Sequence, residues 1–275
     1  MVMIYIFLTV LGLALGSFIN AFVWRLYKQS RVKGSKKKQE YSIIQGRSMC
    51  PNCKHVLSAG DLVPVFSWVW LRGRCRYCKK PISAQYPAIE VLAALLIVLG
   101  YFYWPFDLIR ISDYFIFGVG TILVVLGLSM SIIDTKWQIL PTKLVYLMGL
   151  AAGFYVLLTS FSKTDSGVLI DSLIGAVVLF GSFWVLYQVS GGKWIGGGDV
   201  RLLFVIGLLL GWQKGLLAVV VASYLATIVV VVLIALRRYK KKMRIPFGPF
   251  LLLATYGIFL FGDSMISAYK SFSGL

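Results

Sequence analysis

The sequence predicts an all-α, polytopic membrane protein of about eight transmembrane helices with one small cytoplasmic lobe. Three observations carry this. The chain is 59% hydrophobic with a mean hydropathy of +0.83, above the roughly half-apolar composition of a soluble domain. Apolar stretches of about 20 residues recur along it, long enough to cross a bilayer. Gly, Pro, Trp and charged residues collect in the gaps between these stretches, and the basic residues fall overwhelmingly on one side.

Helices are expected at 3–24, 87–104, 113–133, 143–161, 168–189, 200–211, 215–236 and 247–263. The first has no basic residue ahead of it and several behind it, the reverse of a secretory signal peptide, so a permanent first helix is expected. Segment 200–211 is short for a full span; it is tilted or runs on through Gly211. With the N-terminus outside, segments 25–86, 135–143, 190–201 and 237–244 hold 24 of the 28 Lys and Arg residues. Only Arg110, Lys163, Lys214 and Lys270 stay outside, so the positive-inside rule turns both termini outward. The organisation read from this is a first helix over 1–24, a cytoplasmic lobe over 25–86 and a multi-helix membrane domain over 87–275. The net charge of +18 follows from that topology and from attraction to anionic membrane lipid. No nucleic-acid-binding signature accompanies it, so nucleic acid is not an expected partner.

The lobe opens with Arg31-Val-Lys33-Gly-Ser-Lys36-Lys37-Lys38, too charged and too poor in apolar residues to fold, and expected to lie as a flexible linker against lipid headgroups. The compact part holds all four cysteines, as Cys50-Pro-Asn-Cys53 and Cys75-Arg-Tyr-Cys78. Each C-x-x-C knuckle can place two thiolates on one tetrahedral Zn²⁺, although the 21 residues between the knuckles slightly exceed the usual four-cysteine spacing. Two disulfides are the plain alternative, disfavoured by a cytoplasmic location. A redox-active pair is another, weakened by the second copy. Four thiolates leave no open position for water, so a zinc ion here would be structural. His55, the single histidine, sits beside the first knuckle and reads as a solvated surface residue.

That single histidine rules out an H-E-x-x-H zinc-protease motif, and no G-x-S-x-G nucleophile elbow occurs. Hydrolysis at the membrane would therefore fall to carboxylates. Of the ten acidic residues, Asp107, Asp113, Asp165, Asp171 and Asp263 fall on outer loops or helix ends, and Glu40 and Asp61 belong to the lobe. Glu90 lies about one turn into the second helix, where a pairing with a nearby arginine is the simplest reading. Asp134 closes the run Ser-Ile-Ile-Asp134, at a helix end whose dipole disfavours a carboxylate; a solvated loop position is the alternative. Asp199 follows Gly196-Gly197-Gly198, where an N-cap role would suffice.

With an even number of helices between them, Asp134 and Asp199 face the same side, and two carboxylates a few Å apart cannot both ionise. One would take a proton from a bound water while the other gives one to a scissile carbonyl, the arrangement of an aspartyl protease, with neither role assigned to one residue. The three glycines would permit unusual backbone angles and the close approach of a substrate strand.

These residues resemble the type IV prepilin peptidases, membrane aspartyl proteases with a G-x-G-D motif. The likeness runs through Gly16-Ser17-Phe18-Ile19-Asn20 with Arg25, Cys-Pro-x-Cys before Asp61-Leu-Val-Pro64, and Leu71-Arg-Gly-Arg-Cys75-Arg-Tyr-Cys78. It continues through Pro81-Ile-Ser-Ala-Gln-Tyr86-Pro-Ala-Ile-Glu90, Ile-Asp134, Gly196-Gly-Gly198-Asp199-Val and Ile245-Pro-Phe-Gly-Pro249. Each piece is modest; their shared order is specific. The resemblance implies that Asp134 and Asp199 are catalytic. It also implies substrates that are pilin-like precursors of type IV pili, type II secretion or DNA-uptake machines. The cut would remove a short basic leader, typically after a glycine, at the cytoplasmic face of the inner membrane. Many such proteins also methylate the new N-terminus with S-adenosylmethionine, and those carry the cysteine lobe. No G-x-G-x-x-G fingerprint appears in the lobe, so methyl transfer rests on the resemblance, with Glu90 the candidate for assisting it. Two departures stand out: Thr142 where the family commonly has Asp after Leu140-Pro141, and Arg201 where it has Lys. The rival readings are a non-enzymatic membrane scaffold with a zinc lobe that recruits a partner, and an ion-coupled transporter, which the interfacial position of the aspartates disfavours.

Overall fold

The computed structural model describes residues 2–32, 41–42, 46–105, 108–163, 165–239 and 243–273. The basic linker from Lys33 on, Glu40, Asp107 and Lys240–Lys242 lie outside these residues. Within them the chain is helical, with seven helices long and apolar enough to cross a membrane and only two isolated β-bridges. It divides into two compact units, 1–102 and 103–275.

In the first unit α1 (Val2–Arg31) packs on a helix at Gln85–Phe102, which becomes α3 once the short lobe helix α2 (Phe66–Trp70) is counted. Small residues four apart make the seam. A side chain at Gly16 would stand 2.5 Å from the Glu90 Cα, and one at Gly12 would run into the Ala94 backbone. Such stripes let membrane helices approach closely and gain van der Waals contact where no hydrophobic force is available. The Asn20 amide donates to the Tyr86 carbonyl at 3.1 Å, a polar stitch across the same seam. Helix α1 runs seven residues past the expected end at Trp24. Lys28 and Arg31 occupy its last turn, where cations suit the helix dipole, and lie over the rings of Trp24 and Tyr27.

The second unit contains α4 (Ile111–Trp137), α5 (Thr142–Lys163), α6 (Ser166–Val189), α7 (Gly197–Ala235) and α8 (Gly248–Ser273). Trp104, Phe117, Tyr155 and Phe259 form an aromatic cluster in this unit, with Gly120 leaving room for the Trp104 ring. Helix α7 is the expected pair 200–211 and 215–236 joined end to end and broken at Gly211, whose φ of 77° and ψ of −177° are not helical. In a straight helix Gly207 and Gly215 would be about 12 Å apart. Here a Cβ on Gly215 would lie 3.7 Å from the Gly207 Cα, so the chain reverses sharply. Contacts with α6 give the direction. Gly207 lies on Gly175 and Gly211 on Gly175 and Asp171, whereas Gly215 has moved back to Leu179. The second half of α7 thus returns toward the end from which the first half came. Lys214, just past the reversal, pairs with Asp263 at 2.7 Å. The eight expected membrane segments are present as seven helices, one of them folded in two.

The Gly211 conformation belongs to a region of backbone space open essentially only to glycine, and the Asp171 carboxylate occupies the place a side chain would take. Gly211→Ala is expected to destabilise the protein by at least about 2 kcal/mol, read as a lower thermal midpoint and a lower yield of folded protein in detergent.

Candidate active site

Helix α4 does not end before Asp134. It runs on to Trp137, closes on Gln138 in the left-handed region (φ 53°), and is barred from continuing by Pro141. Asp134 therefore sits in the last turn, only 6% exposed. Its Oδ2 accepts a hydrogen bond from the backbone N–H of Gly248 at 3.1 Å, the first residue of α8. A helix N-terminus presents unpaired amides and a positive dipole end, so α8 supplies what the C-terminal end of α4 lacks. Gly248 is needed for the approach, since a Cβ there would lie 2.6 Å from that same oxygen.

Asp199 is not the N-cap of α7. Gly196 is, and Asp199 stands three residues later in the first turn, with its N–H on the Gly196 carbonyl at 3.0 Å and its carboxylate folded back beside Gly196, where a Cβ would stand 3.0 Å from Oδ2. Leu140 brings the two carboxylates into one neighbourhood: it lies against Gly198, the residue before Asp199, and reaches Gly248, whose amide bonds Asp134. The three glycines do not adopt unusual angles; the positive-φ glycines nearby are Gly191 and Gly192. Their value is close approach, though the approaching group is a residue of the chain itself. A side chain on Gly198 would stand 2.9 Å from the Leu140 Cβ, and Leu140 also reaches to within 3.6 Å of a Cβ built on Gly248.

The four cysteines meet in the lobe, their sulfur atoms all within 4.8 Å of one another, with Cys50 and Cys78 at 3.9 Å. Tetrahedral Zn–S bonds of about 2.3 Å require S···S spacings of about 3.8 Å, so the cluster fits that ion. The knuckles are copies of one fold. Lys54 N–H bonds to the Cys50 carbonyl and Lys79 N–H to the Cys75 carbonyl, both lysines at φ 58°. Burial opposes ionisation of Cys50, but the Cys53 and Asn52 amides and the Cys53 and Cys75 thiols bring its pKa down to about 7.

Asp61 braces the second knuckle from outside. It pairs with Arg76 at 2.8 Å, accepts from the Ser58 hydroxyl at 2.9 Å and from Tyr77 at 3.2 Å. Tyr77 in turn lies on the exposed ring of His55, centroids 3.7 Å apart, which links the two knuckles.

Glu90 has no arginine partner among the described residues. Its Oε2 accepts the Val65 amide at 2.7 Å. Val65 holds φ 61°, a strained angle for a β-branched residue, which aims that amide at Glu90.

Asp61, Leu140 and Gly248 stood in the sequence only as members of family-like segments, and Val65 carried no signal; that Gly248 donates to Asp134, Leu140 lies on Gly198, Asp61 pairs with Arg76 and Val65 donates to Glu90 was not legible there.

Although partial burial opposes it, bonds from Ser58 together with Arg76 and Tyr77 hold the Asp61 carboxyl below its ordinary range. A carboxyl depressed in the folded state adds stability above its unfolded pKa of about 4 and loses it as pH falls through the lower folded value. Below about pH 4 the lobe is expected to open to proteolysis progressively; Asp61→Asn should be already more labile at neutral pH and show a flatter acid response.

Residues 10–104 match the bacterial peptidase A24 N-terminal domain, and residues 121–232 match the type IV leader peptidase family. The chain is 31% identical over 279 residues to the prepilin leader peptidase/N-methyltransferase of Aeromonas salmonicida, covering 94% of this chain and 91% of that one. It is 32% identical over 281 residues to the Pseudomonas aeruginosa protein of the same name, covering 96% and 92%. It is also 32% identical over 266 residues to that of Pectobacterium carotovorum, covering 92% and 90%. No solved structure matches the chain. With two buttressed carboxylates at one end of its second unit, a four-thiol centre in its first and full-length likeness to these proteins, the chain belongs to the prepilin leader peptidase/N-methyltransferase family.

Proposed function

We propose that the protein is an aspartic endopeptidase that removes the short basic leader from type IV prepilin-like or pseudopilin precursors. It does so at the cytoplasmic face of the inner membrane, with Asp134 and Asp199 as the catalytic pair. The observation that carries this is the convergence of both carboxylates, from helix ends 65 residues apart in sequence, onto the Leu140 turn. One carboxylate takes a proton from water as its oxygen adds to the scissile carbonyl carbon, and the other protonates the carbonyl oxygen. Collapse of the tetrahedral species breaks the C–N bond: the departing amine takes the proton that the first carboxylate drew from water, and a hydroxyl of the tetrahedral species returns a proton to the second. The basic residues that cluster on the side of both aspartates support the cytoplasmic orientation.

The cysteines hold a structural Zn²⁺ in this reading, through Cys50, Cys53, Cys75 and Cys78. Methylation of the new N-terminus draws its methyl group from S-adenosylmethionine. Glu90 serves it by fixing the lobe on its membrane helix through Val65. The lobe rests on anionic lipid: Phe66 and Trp70 are 71% and 85% exposed beside the exposed Arg72, Arg74, Lys79 and Lys80. That combination suits the headgroup layer.

Co-expression with a pilin-like precursor, followed by mass spectrometry of the product N-terminus, tests the reading. The wild type should release the leader and add about 14 mass units to the new terminus, the mass of one methylene. Asp134→Asn and Asp199→Asn should each leave the precursor intact while inserting normally. Processing at the normal rate by either variant would remove the pair from the mechanism, and loss of function through the cysteines alone would favour a scaffold. Purified protein should carry about one zinc per chain, and Cys50→Ser should lose it together with lobe protection from proteases.

A further inference from the structure

Beyond the two aspartates, Arg201 and Thr142 join the elements that carry them. The Arg201 guanidinium donates through Nε to the Gly197 carbonyl at 2.9 Å and through Nη1 to the Thr142 hydroxyl at 2.5 Å. Gly197 opens α7 two residues before Asp199, and Thr142 opens α5 directly after the turn that follows Asp134. One rigid planar group therefore spans the two elements that carry the carboxylates. Among the described residues Arg201 has no carboxylate partner, the ion pairs being Arg76–Asp61 and Lys214–Asp263. Its charge is spent on two neutral oxygens.

A second contact across this junction, Leu140 on Gly198, is apolar. Apolar packing sets how close the elements come but leaves them free to slide, whereas a directional hydrogen bond from a guanidinium already anchored on its own helix at Gly197 fixes register as well as distance. Thr142 suits the role because a β-branched side chain keeps few rotamers.

We infer that the Arg201–Thr142 hydrogen bond is a positioning clasp that sets the separation and register of Asp134 and Asp199. The clasp deepens the proposed function and rests on its assignment of the two aspartates. Neither residue transfers a proton; they hold the pair at the spacing that lets it share one. A displacement of about 1 Å at a reacting centre can cost on the order of a hundredfold in rate, and a single charge-assisted hydrogen bond is worth about tenfold or somewhat more.

The test uses the full-length protein in lipid nanodiscs with a pilin-like precursor as probe. Thr142→Val keeps shape and removes the acceptor; it should lower kcat about tenfold while KM stays within about twofold and the thermal midpoint does not move. Thr142→Ser, which returns the hydroxyl, should recover most of the loss. Arg201→Lys cannot hold both oxygens with one ammonium and should resemble Thr142→Val. The double variant Thr142→Val/Arg201→Lys should be no slower than either single one, since both break the same bond. The pH–kcat profile of these variants should also change width, because the coupling of two carboxylates depends on their spacing. Normal kcat in Thr142→Val, a loss matched by unfolding, or additive losses in the double variant would overturn the clasp. Asp199→Asn in the same assay separates the readings. If it still cleaves, the aspartate assignment falls and the clasp with it. If it is inactive while Thr142→Val is normal, the clasp alone falls.

Discussion

A carboxylate buried away from water at the end of a membrane helix is costly unless donors are supplied, and this protein supplies them from its own backbone. Asp134 takes the amide that opens α8, Glu90 takes the amide of Val65, and the Asp199 carboxylate lies back against the Gly196 cap. No Lys or Arg is paired with any of the three among the described residues. The choice has a chemical consequence. A cation beside a carboxylate would lock it in the ionised form, whereas a single amide satisfies one oxygen and leaves the other able to hold or release a proton. The sharing of a proton proposed for Asp134 and Asp199 is compatible with the second arrangement.

Backbone donors can reach a side chain only where nothing intervenes, and this explains the glycines better than flexibility does. Gly248 lets its own amide touch Asp134; Gly198 lets Leu140 settle between the starts of α7 and α8. Gly12 and Gly16 do the same for the seam between α1 and α3, and Gly175, Gly207 and Gly215 for the crossing of α6 with the two halves of α7. Only Gly211 among these is a conformational necessity. In a bilayer, where apolar side chains gain little by leaving lipid for one another, removing a side chain is the main way to bring two backbones together.

The membrane segments were legible in the sequence because hydropathy is, and even the break near Gly211 could be read from the short segment 200–211. Helix ends were less legible where charge misled. Asp134 reads as the end of α4, yet backbone bonding continues to the left-handed Gln138, and Asp263 reads as the end of α8, yet the helix runs on to Ser273. The cysteines could be grouped by spacing alone because C-x-x-C is a local pattern. The donors that complete the acidic sites could not, since Gly248 lies 114 positions from Asp134 and Val65 must adopt an angle that valine resists. Arg201 and Thr142 were each visible as departures from a family pattern, but their contact across 59 positions was not.

The reversal at Gly211 and the aspartate pair are one construction. A straight helix of 39 residues would be about 58 Å long, and its far end would lie well beyond any bilayer surface. Gly248 follows that end by 13 residues, yet its amide must meet Asp134 beside the start of the same helix. Folding α7 back on itself is what returns the chain in time. The first half of α7 carries Asp199, the second half brings α8, and the turn 138–142 touches both: Gln138 donates to the Arg244 carbonyl, Leu140 lies on Gly198 and near Gly248, and Thr142 takes Arg201. The local stiffness of that five-residue turn, set by a left-handed Gln138 at one side and Pro141 at the other, therefore decides whether the two carboxylates arrive together.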